Sequence, residues 1–294
     1  MVWPRDFASA GERAGALSAR TSFRIGGAPE YLFEPATEEE AGEVVRACRA
    51  RGVPLRVLGG GCNLLVAEGR LEGAVLATSR LRFEHVLDDR VVVGAGVPFP
   101  GLVARSADLG IPHLSGCPGI PGCVGGIVAM NAGGRFGHVA DALVEVAGFD
   151  LDGRPFRRRI EPGDMGYRSS AFLGRTVVTS ASFLRDPALD KDAARLRLVE
   201  ASAWKRATQP LSAASAGCVF KNPGAGASAG ALIDRLGLKG ERVGDAVVSA
   251  VHANFIVNEG GAGFDDVEAL IGRVRERARA AAGVDLELEL QVWR

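Results

Sequence analysis

SGCPGIPGCVGGIVAMNAGG, residues 115–134, carries seven glycines in twenty positions, two prolines (Pro118 and Pro121) and no charged side chain. Glycine opens positive φ and lets another group approach the main chain. Proline fixes its own φ and biases the residue before it toward extended backbone. A shaped loop with exposed N–H groups and little side-chain bulk suits a phosphate or pyrophosphate. Tight turns in a packed core are the alternative. A second glycine loop upstream, LGGGCNLLV (58–66), weighs against that alternative, because two such loops with polar Asn63 and Asn131 suggest a dinucleotide. Neither loop is a Rossmann fingerprint. Gly59 and Gly61 give G-x-G, but the sixth position is Leu64, and no G-x-x-x-x-G-K-[ST] occurs. A different fold must hold the dinucleotide.

Composition narrows the class. A chain of 294 residues can bury a substantial core and divide into two or three domains. The content of 47% hydrophobic and 24% charged residues fits an ordinary soluble globular protein. Its 35 basic and 35 acidic side chains cancel, so neither a nucleic acid nor an anionic membrane is expected as a partner. No apolar run approaches the roughly 18 residues that span a bilayer. MVWPRDFASAGERAG at the start lacks the apolar core of a signal peptide, and the expected location is the cytoplasm. Cys48, Cys62, Cys117, Cys123 and Cys218 form no C-x-x-C pair, which fits reduced thiols. The four histidines lack metal-ligand spacing, so no metal is expected.

Along the chain, residues 20–33 predict a loop, a Gly-Gly turn and a strand. Thr37 opens a capping box with Glu40. Ala41, Val44, Val45 and Cys48 make one apolar helix face that Gly52 ends. Strand 55–58 delivers the first glycine loop, and strand 73–78 follows. Residues 83–95 predict a hairpin turning at Asp88-Asp89, and 99–110 a helix. The pair 143–151 and 154–160 predicts a hairpin turning at Asp152-Gly153. A polar loop, 165–172, precedes strand 176–184. Ala193, Leu196, Val199 and Ala203 predict a helix face, and residues 212–217 read as a linker. Leu232, Ile233 and Leu236 mark a short helix, 247–257 a strand, and Phe264 to Ala278 an amphipathic helix with charges suited to its dipole. Val284, Leu286, Leu288, Leu290 and Val292 alternate with Asp285, Glu287, Glu289 and Gln291, as in a terminal strand.

With those segments in view, the chain resembles the UDP-N-acetylenolpyruvoylglucosamine reductases across nearly its whole length. TSFRIGG (21–27), LGGGCNLLV (58–66), PGIPGCVGGIVAMNAGG (118–134), GYRSSAF (166–172), SAGCVFKNP (215–223), HANFIVN (252–258) and LELELQVW (286–293) carry the resemblance. The interval from Arg168 to Cys218 is short, as in the second type of that family. The resemblance implies an α/β (α+β) fold: a two-part FAD-binding domain of vanillyl-alcohol-oxidase type, residues 1–80 and 81–205, and a C-terminal substrate-binding α/β domain, 206–283. Residues 284–294 would return to the active site as a strand.

The same resemblance implies that NADPH reduces FAD and leaves. Hydride would then pass from flavin N5 to the enolpyruvyl group of UDP-N-acetylglucosamine enolpyruvate. Negative charge developing beside the carboxylate calls for a fixed cation, which Arg168 supplies. Cys218 stands where many members have a serine proton donor; a thiol, with a reference pKa of about 8.5, is the easier acid. Glu289 aligns with the terminal glutamate, with Glu287 as the alternative because Leu288 and Gln291 depart from the usual motif. The residues implied to hold FAD are Gly59, Gly60, Gly61, Cys62, Asn63, Leu64, Gly119, Ile120, Pro121, Gly122, Gly125, Gly126, Asn131, Ala132 and Gly133. Tyr167, Lys221 and Asn222 are implied to contact substrate. Asn254 reads as structural, and His113 and His138 flank the central loop. An FAD oxidase of a sugar or alcohol, or a silent flavin-binding protein, are the rival readings.

Overall fold

The computed structural model describes residues 15–224 and 226–294, together with the backbone course of 8–10. Most of the opening segment read above for a signal peptide therefore lies outside the described residues. The chain divides into two compact units. Of the described residues, unit 1 comprises 8–10, Glu30–Gly60 and Glu72–Lys205; unit 2 comprises Gly15–Pro29, Gly61–Leu71 and the described part of Arg206–Arg294.

In chain order, β1 (Ala8–Ala10) and β2 (Ala28–Phe33) precede helix α1 (Glu38–Arg51). The Thr37 hydroxyl accepts from the Glu40 N–H at 3.2 Å, capping α1. The Glu40 carboxylate accepts from Ala36 N–H, one residue earlier than in a capping box. Ala41, Val44, Val45 and Cys48 are buried, as their spacing predicts, and Gly52 closes the helix in the left-handed region at φ 66°. Next come β3 (Leu55–Leu58), β4 (Leu64–Val66), β5 (Arg70–Ala77), β6 (Glu84–Val86) and β7 (Arg90–Gly94), then α2 (Phe99–Leu109). Inside the stretch read as a glycine loop, Val124–Ala129 winds into a helix, α3, because Val124, Ile127 and Val128 bury together in the unit 1 core. β8 (Gly133–Gly134), β9 (Gly137–His138), β10 (Leu143–Asp150), β11 (Pro155–Arg159), β12 (Met165–Gly166), β13 (Ser169–Ser170), β14 (Thr176–Leu184) and α4 (Lys191–Thr208) follow.

Unit 1 is built on an antiparallel sheet in the order β11-β10-β14-β7-β6. Val91, Val93, Val146 and Phe183 of this sheet bury against Phe99 and Leu102 of α2 and against α3. A second sheet runs β1-β2-β5-β3, with β3 and β5 parallel. Helix α1 joins Phe33, Leu76 and Phe149 in a separate core.

Helix α4 forms where expected but turns the other way. Ala193, Leu196, Val199 and Ala203 are exposed, whereas Ala201 and Lys205 are buried. The face turned inward carries Leu198, which packs on the core, and Trp204, whose ring meets Phe136 edge-on at 5.6 Å. Arg197 on that side donates to the Phe136 carbonyl at 2.5 Å. One large aromatic and a charge-assisted bond outweigh a stripe of small aliphatics.

Unit 2 holds β15 (Ala214–Cys218), α5 (Ala229–Arg235), β16 (Arg242–Val243), β17 (Ala246–Val248), β18 (Phe255–Asn258), α6 (Phe264–Ala282) and β19 (Gln291–Trp293). Its antiparallel sheet runs β15-β18-β17-β16. The run read as a linker is thus mostly strand β15, which pairs with β18, and the Ser215 carbonyl accepts from the Ser22 hydroxyl at 2.7 Å. The stretch 247–257 is two strands, parted by a turn in which the Ser249 hydroxyl accepts from Val251 N–H. Terminal alternation survives as burial of Leu286 and Leu290, but the ladder is confined to β19, which pairs in parallel with β4. Val267, Leu270, Ile271, Val274 and Ala278 of α6 face the unit 2 core.

Candidate active site

The two glycine loops touch inside unit 1. A Cβ on Gly60 would lie 2.6 Å from the Gly122 Cα, so the backbones meet where no side chain fits. Gly125 is pressed on Ala95 in the same way, at 2.9 Å. The Cα of Gly126, by contrast, faces open space, and Gly59 lies beside its N–H. Ile120 packs on the core, while Gly119 and Pro121 are exposed. Asn131 follows α3 in the left-handed region, at φ 43°. Its Nδ2 donates to the Gly166 carbonyl at 2.8 Å, and its buried Oδ1 has no partner among the described residues. Ala132 N–H donates back to the Ile127 carbonyl across left-handed Asn131, closing α3 as a Schellman cap, and Gly133 pairs with His138 across β8 and β9.

The Gly166 carbonyl belongs to the β12–β13 hairpin, which the sequence presented as a polar loop. Tyr167 and Arg168 form its two-residue turn. Arg168 sits at φ 52°, a region that disfavours side chains. Its Nη2 donates to the Gly133 carbonyl at 2.9 Å, and its guanidinium lies 5.2 Å from the Tyr167 ring. Tyr167 is half exposed. At the hairpin's base, buried Asp164 pairs with Arg158 and accepts from Glu161 N–H.

Unit 2 carries the other expected residues. Cys218 ends β15 opposite Phe255, after a register shift that Gly217 makes at φ 80°. Asn254, 4% exposed, clamps the backbone just beyond Cys218. Its Oδ1 accepts from Phe220 N–H at 3.0 Å, its Nδ2 donates to the Phe220 carbonyl at 2.8 Å, and its own carbonyl accepts from Val219 N–H. The Val219 carbonyl in turn accepts from Glu289 N–H at 2.9 Å, which brings the backbones of the cysteine and glutamate segments side by side. Asn63 fastens the terminal segment from its other side. Its Nδ2 donates to the Glu289 carbonyl at 3.0 Å, and its own carbonyl accepts from Gln291 N–H.

Glu287 and Glu289 differ in surroundings. The Glu287 side chain is 73% exposed and pairs with the Lys221 ammonium, while Glu289 is half-buried. Lys221 N–H also donates to the Glu287 carbonyl at 2.8 Å. The Asn222 side chain accepts from Ala229 N–H at 3.1 Å, at the start of α5. Gly61 lies in unit 2, where a Cβ would meet the Arg20 carbonyl at 2.0 Å; Cys62 is half-buried and Leu64 is buried in β4. Three partnerships escaped the sequence reading: Ser170 with Ala129, Glu287 with Lys221, and Ser22 with Ser215. Ser170 and Ser22 stood inside quoted motifs, whereas the Glu287 pairing had only its spacing beside Glu289 as a signal.

Burial pushes the thiols of Cys48 and Cys117 up to about 11. That of Cys123 is raised by the same cause and partly offset by Arg82. His113 is exposed at a left-handed position, and His138 N–H donates to Asp141. Among the described residues no group of three His, Cys, Asp or Glu side chains could hold a metal, and no helix is long and apolar enough to cross a membrane.

A family model for an FAD binding domain matches residues 29–157, and one for the C-terminal domain of UDP-N-acetylenolpyruvoylglucosamine reductase matches 209–293. The two models together define an FAD-dependent oxidoreductase. The reductase of Heliobacterium modesticaldum is 38% identical, covering 93% of this chain and 87% of its own. That of Moorella thermoacetica is 39% identical, over 94% and 91%. A crystal structure of UDP-N-acetylenolpyruvylglucosamine reductase from Thermus caldophilus is 39% identical, covers 95% of this chain and 98% of its own, and superposes with a TM-score of 0.81. The chain belongs to the UDP-N-acetylenolpyruvoylglucosamine reductase family. Its α/β fold, FAD domain and C-terminal domain bear out the expected class. The residues present fit FAD: Gly126, beside Gly59, opens onto free space that a Cβ would enter, and Asn131 Oδ1 is a buried acceptor without a donor among the described residues.

Proposed function

We propose that this enzyme reduces the enolpyruvyl group of UDP-N-acetylglucosamine enolpyruvate to give UDP-N-acetylmuramate, with NADPH as reductant, for peptidoglycan precursor synthesis in the cytoplasm. Bound FAD supplies the hydride. Arg168, permanently charged, stabilises negative charge on the carbon bearing the carboxylate. Cys218 donates a proton from Sγ to that carbon, and its thiolate is reprotonated from solvent or from Glu289. Glu289 rather than Glu287 has the auxiliary role, since Glu287 is exposed and engaged with Lys221. Lys221, Asn222 and Tyr167 orient the sugar nucleotide. Glycines of the two loops, with Asn131, hold the cofactor.

The observation that carries this reading is the backbone bond between Val219, next to Cys218, and Glu289. It supports two proton-bearing side chains serving one reaction. An anaerobic absorbance experiment tests it. NADPH should bleach the flavin band of the FAD-loaded protein, and UDP-N-acetylglucosamine enolpyruvate should restore it. Recovery with oxygen alone would point instead to an oxidase.

A further inference from the structure

Arg168 is the cation of the proposed reaction, yet it stands on the tip of a hairpin of only two residue pairs. An isolated ribbon of that length does not hold its shape in water. Three hydrogen bonds tie it to the segment leaving α3. Gly166 accepts from Asn131 Nδ2 at 2.8 Å, before the turn. Ser170 Oγ donates to the Ala129 carbonyl at 2.7 Å, after it. Arg168 Nη2 donates to Gly133 at 2.9 Å, from the turn itself. Ser170 Oγ also accepts from Phe172 N–H at 3.2 Å, which links it to a side chain buried in the core.

Asn131 and Arg168 both occupy left-handed backbone, at φ 43° and 52°. Asn takes that region readily at the end of a helix, but Arg stays there only where its surroundings hold it. Glycine would relieve the strain at Arg168 and would remove the cation. The bonds on either flank offset it while keeping the guanidinium.

We infer that Asn131 and Ser170 are positioning residues, which fix the Tyr167–Arg168 turn to the glycine segment and so set the direction of the guanidinium. This rests on the role proposed for Arg168. Neither residue is required to touch substrate. Their loss leaves the charge in place but spreads its direction, which lowers the rate of the step that needs it more than the affinity for substrate.

The test compares FAD-loaded wild type with Ser170→Ala, Ser170→Thr and Asn131→Asp. Asn131→Asp sets a carboxylate oxygen against the Gly166 carbonyl where an N–H had donated. Native-state tryptic cleavage after Arg168, followed by mass spectrometry, reads the order of the turn directly. Cleavage should be about tenfold faster in Ser170→Ala and Asn131→Asp, the equivalent of one hydrogen bond. It should return toward wild type in Ser170→Thr, which keeps the hydroxyl. The second readout is anaerobic reoxidation of the dithionite-bleached flavin by UDP-N-acetylglucosamine enolpyruvate. Its maximal rate should fall about tenfold in the same two variants, with the half-saturating concentration within about twofold.

Cleavage at the wild-type rate in both variants would overturn the inference, as would faster cleavage with unimpaired reoxidation. If Ser170→Ala does not fold, Asn131→Asp and Ser170→Thr carry the same comparison. A wild type that substrate cannot reoxidise would defeat the proposed function instead, and tryptic cleavage would then decide the positioning role alone.

Discussion

Cys218 concentrates the chemistry that distinguishes this chain, because a thiol occupies the position proposed for the proton donor. It is half-buried at the end of β15, on backbone redirected by Gly217. Cys218→Ala should leave NADPH bleaching of the flavin intact and slow its reoxidation by substrate about 10²–10⁴-fold, the usual worth of a general acid. Stopped-flow absorbance separates the two steps, and full turnover by the variant would remove Cys218 from the role. The other thiols offer a contrast. Burial raises Cys48 and Cys117 to about 11. A raised thiol is the protonated form at any pH below that value, so at pH 8 only about one molecule in a thousand carries either thiolate. Iodoacetamide at pH 8 should therefore label Cys48 and Cys117 of the folded protein far more slowly than those of the urea-unfolded chain, as peptide mass mapping would show.

At the scale of elements, the short segments bearing the proposed chemistry are held by side chains borrowed from turns elsewhere in the chain. Asn254 satisfies both the N–H and the carbonyl of Phe220 from inside the core. Asn254→Ala leaves both groups buried without partners and should cost about 2–4 kcal/mol, measured by urea unfolding. The β12–β13 turn gives the opposite balance. Arg168→Gly relieves roughly 1–2 kcal/mol of left-handed strain and loses a charge-assisted bond of similar size. Its thermal midpoint should stay near wild type while kcat falls about 10²–10³-fold. Stability and activity part company at one residue.

The strands Leu55–Leu58 and Thr176–Leu184 were legible to the residue, since β-branched and apolar runs with turn residues on both sides leave little choice. Helix α1 was equally plain, its cap and apolar stripe agreeing. The orientation of α4 was not legible, because it was decided by Trp204 meeting Phe136, 68 positions away, rather than by the helix's own period. Helix α3 hid behind its glycines, and β15 behind a small-residue run that looks like a linker until it pairs with β18. In the candidate site the residue types were readable from motifs. Which carboxylate pairs with Lys221, and what holds Arg168, depended on contacts no local pattern encodes.

For the whole molecule, cofactor and fold should support each other through linkage. FAD supplied at about 100 times its dissociation constant should stabilise the apoprotein by about 2.7 kcal/mol, if it binds only folded chain. A rise in the apoprotein's melting temperature with FAD concentration would show this, and an unchanged midpoint would count against the glycine cradle as the cofactor's seat. The division into units has a consequence for how the chain comes into being. Residues 15–29 and 61–71 belong to unit 2, whose remaining part begins at Arg206. On a ribosome, the 134 residues 72–205 are made between Leu71 and Arg206. At about 5–20 residues per second, those early segments wait roughly 7–27 s for the partners that bury Phe23, Ile25 and Leu65. Newborn copies thus pass through an interval in which apolar surface made first is covered last, and a trigger-type chaperone at the exit tunnel would find its work there.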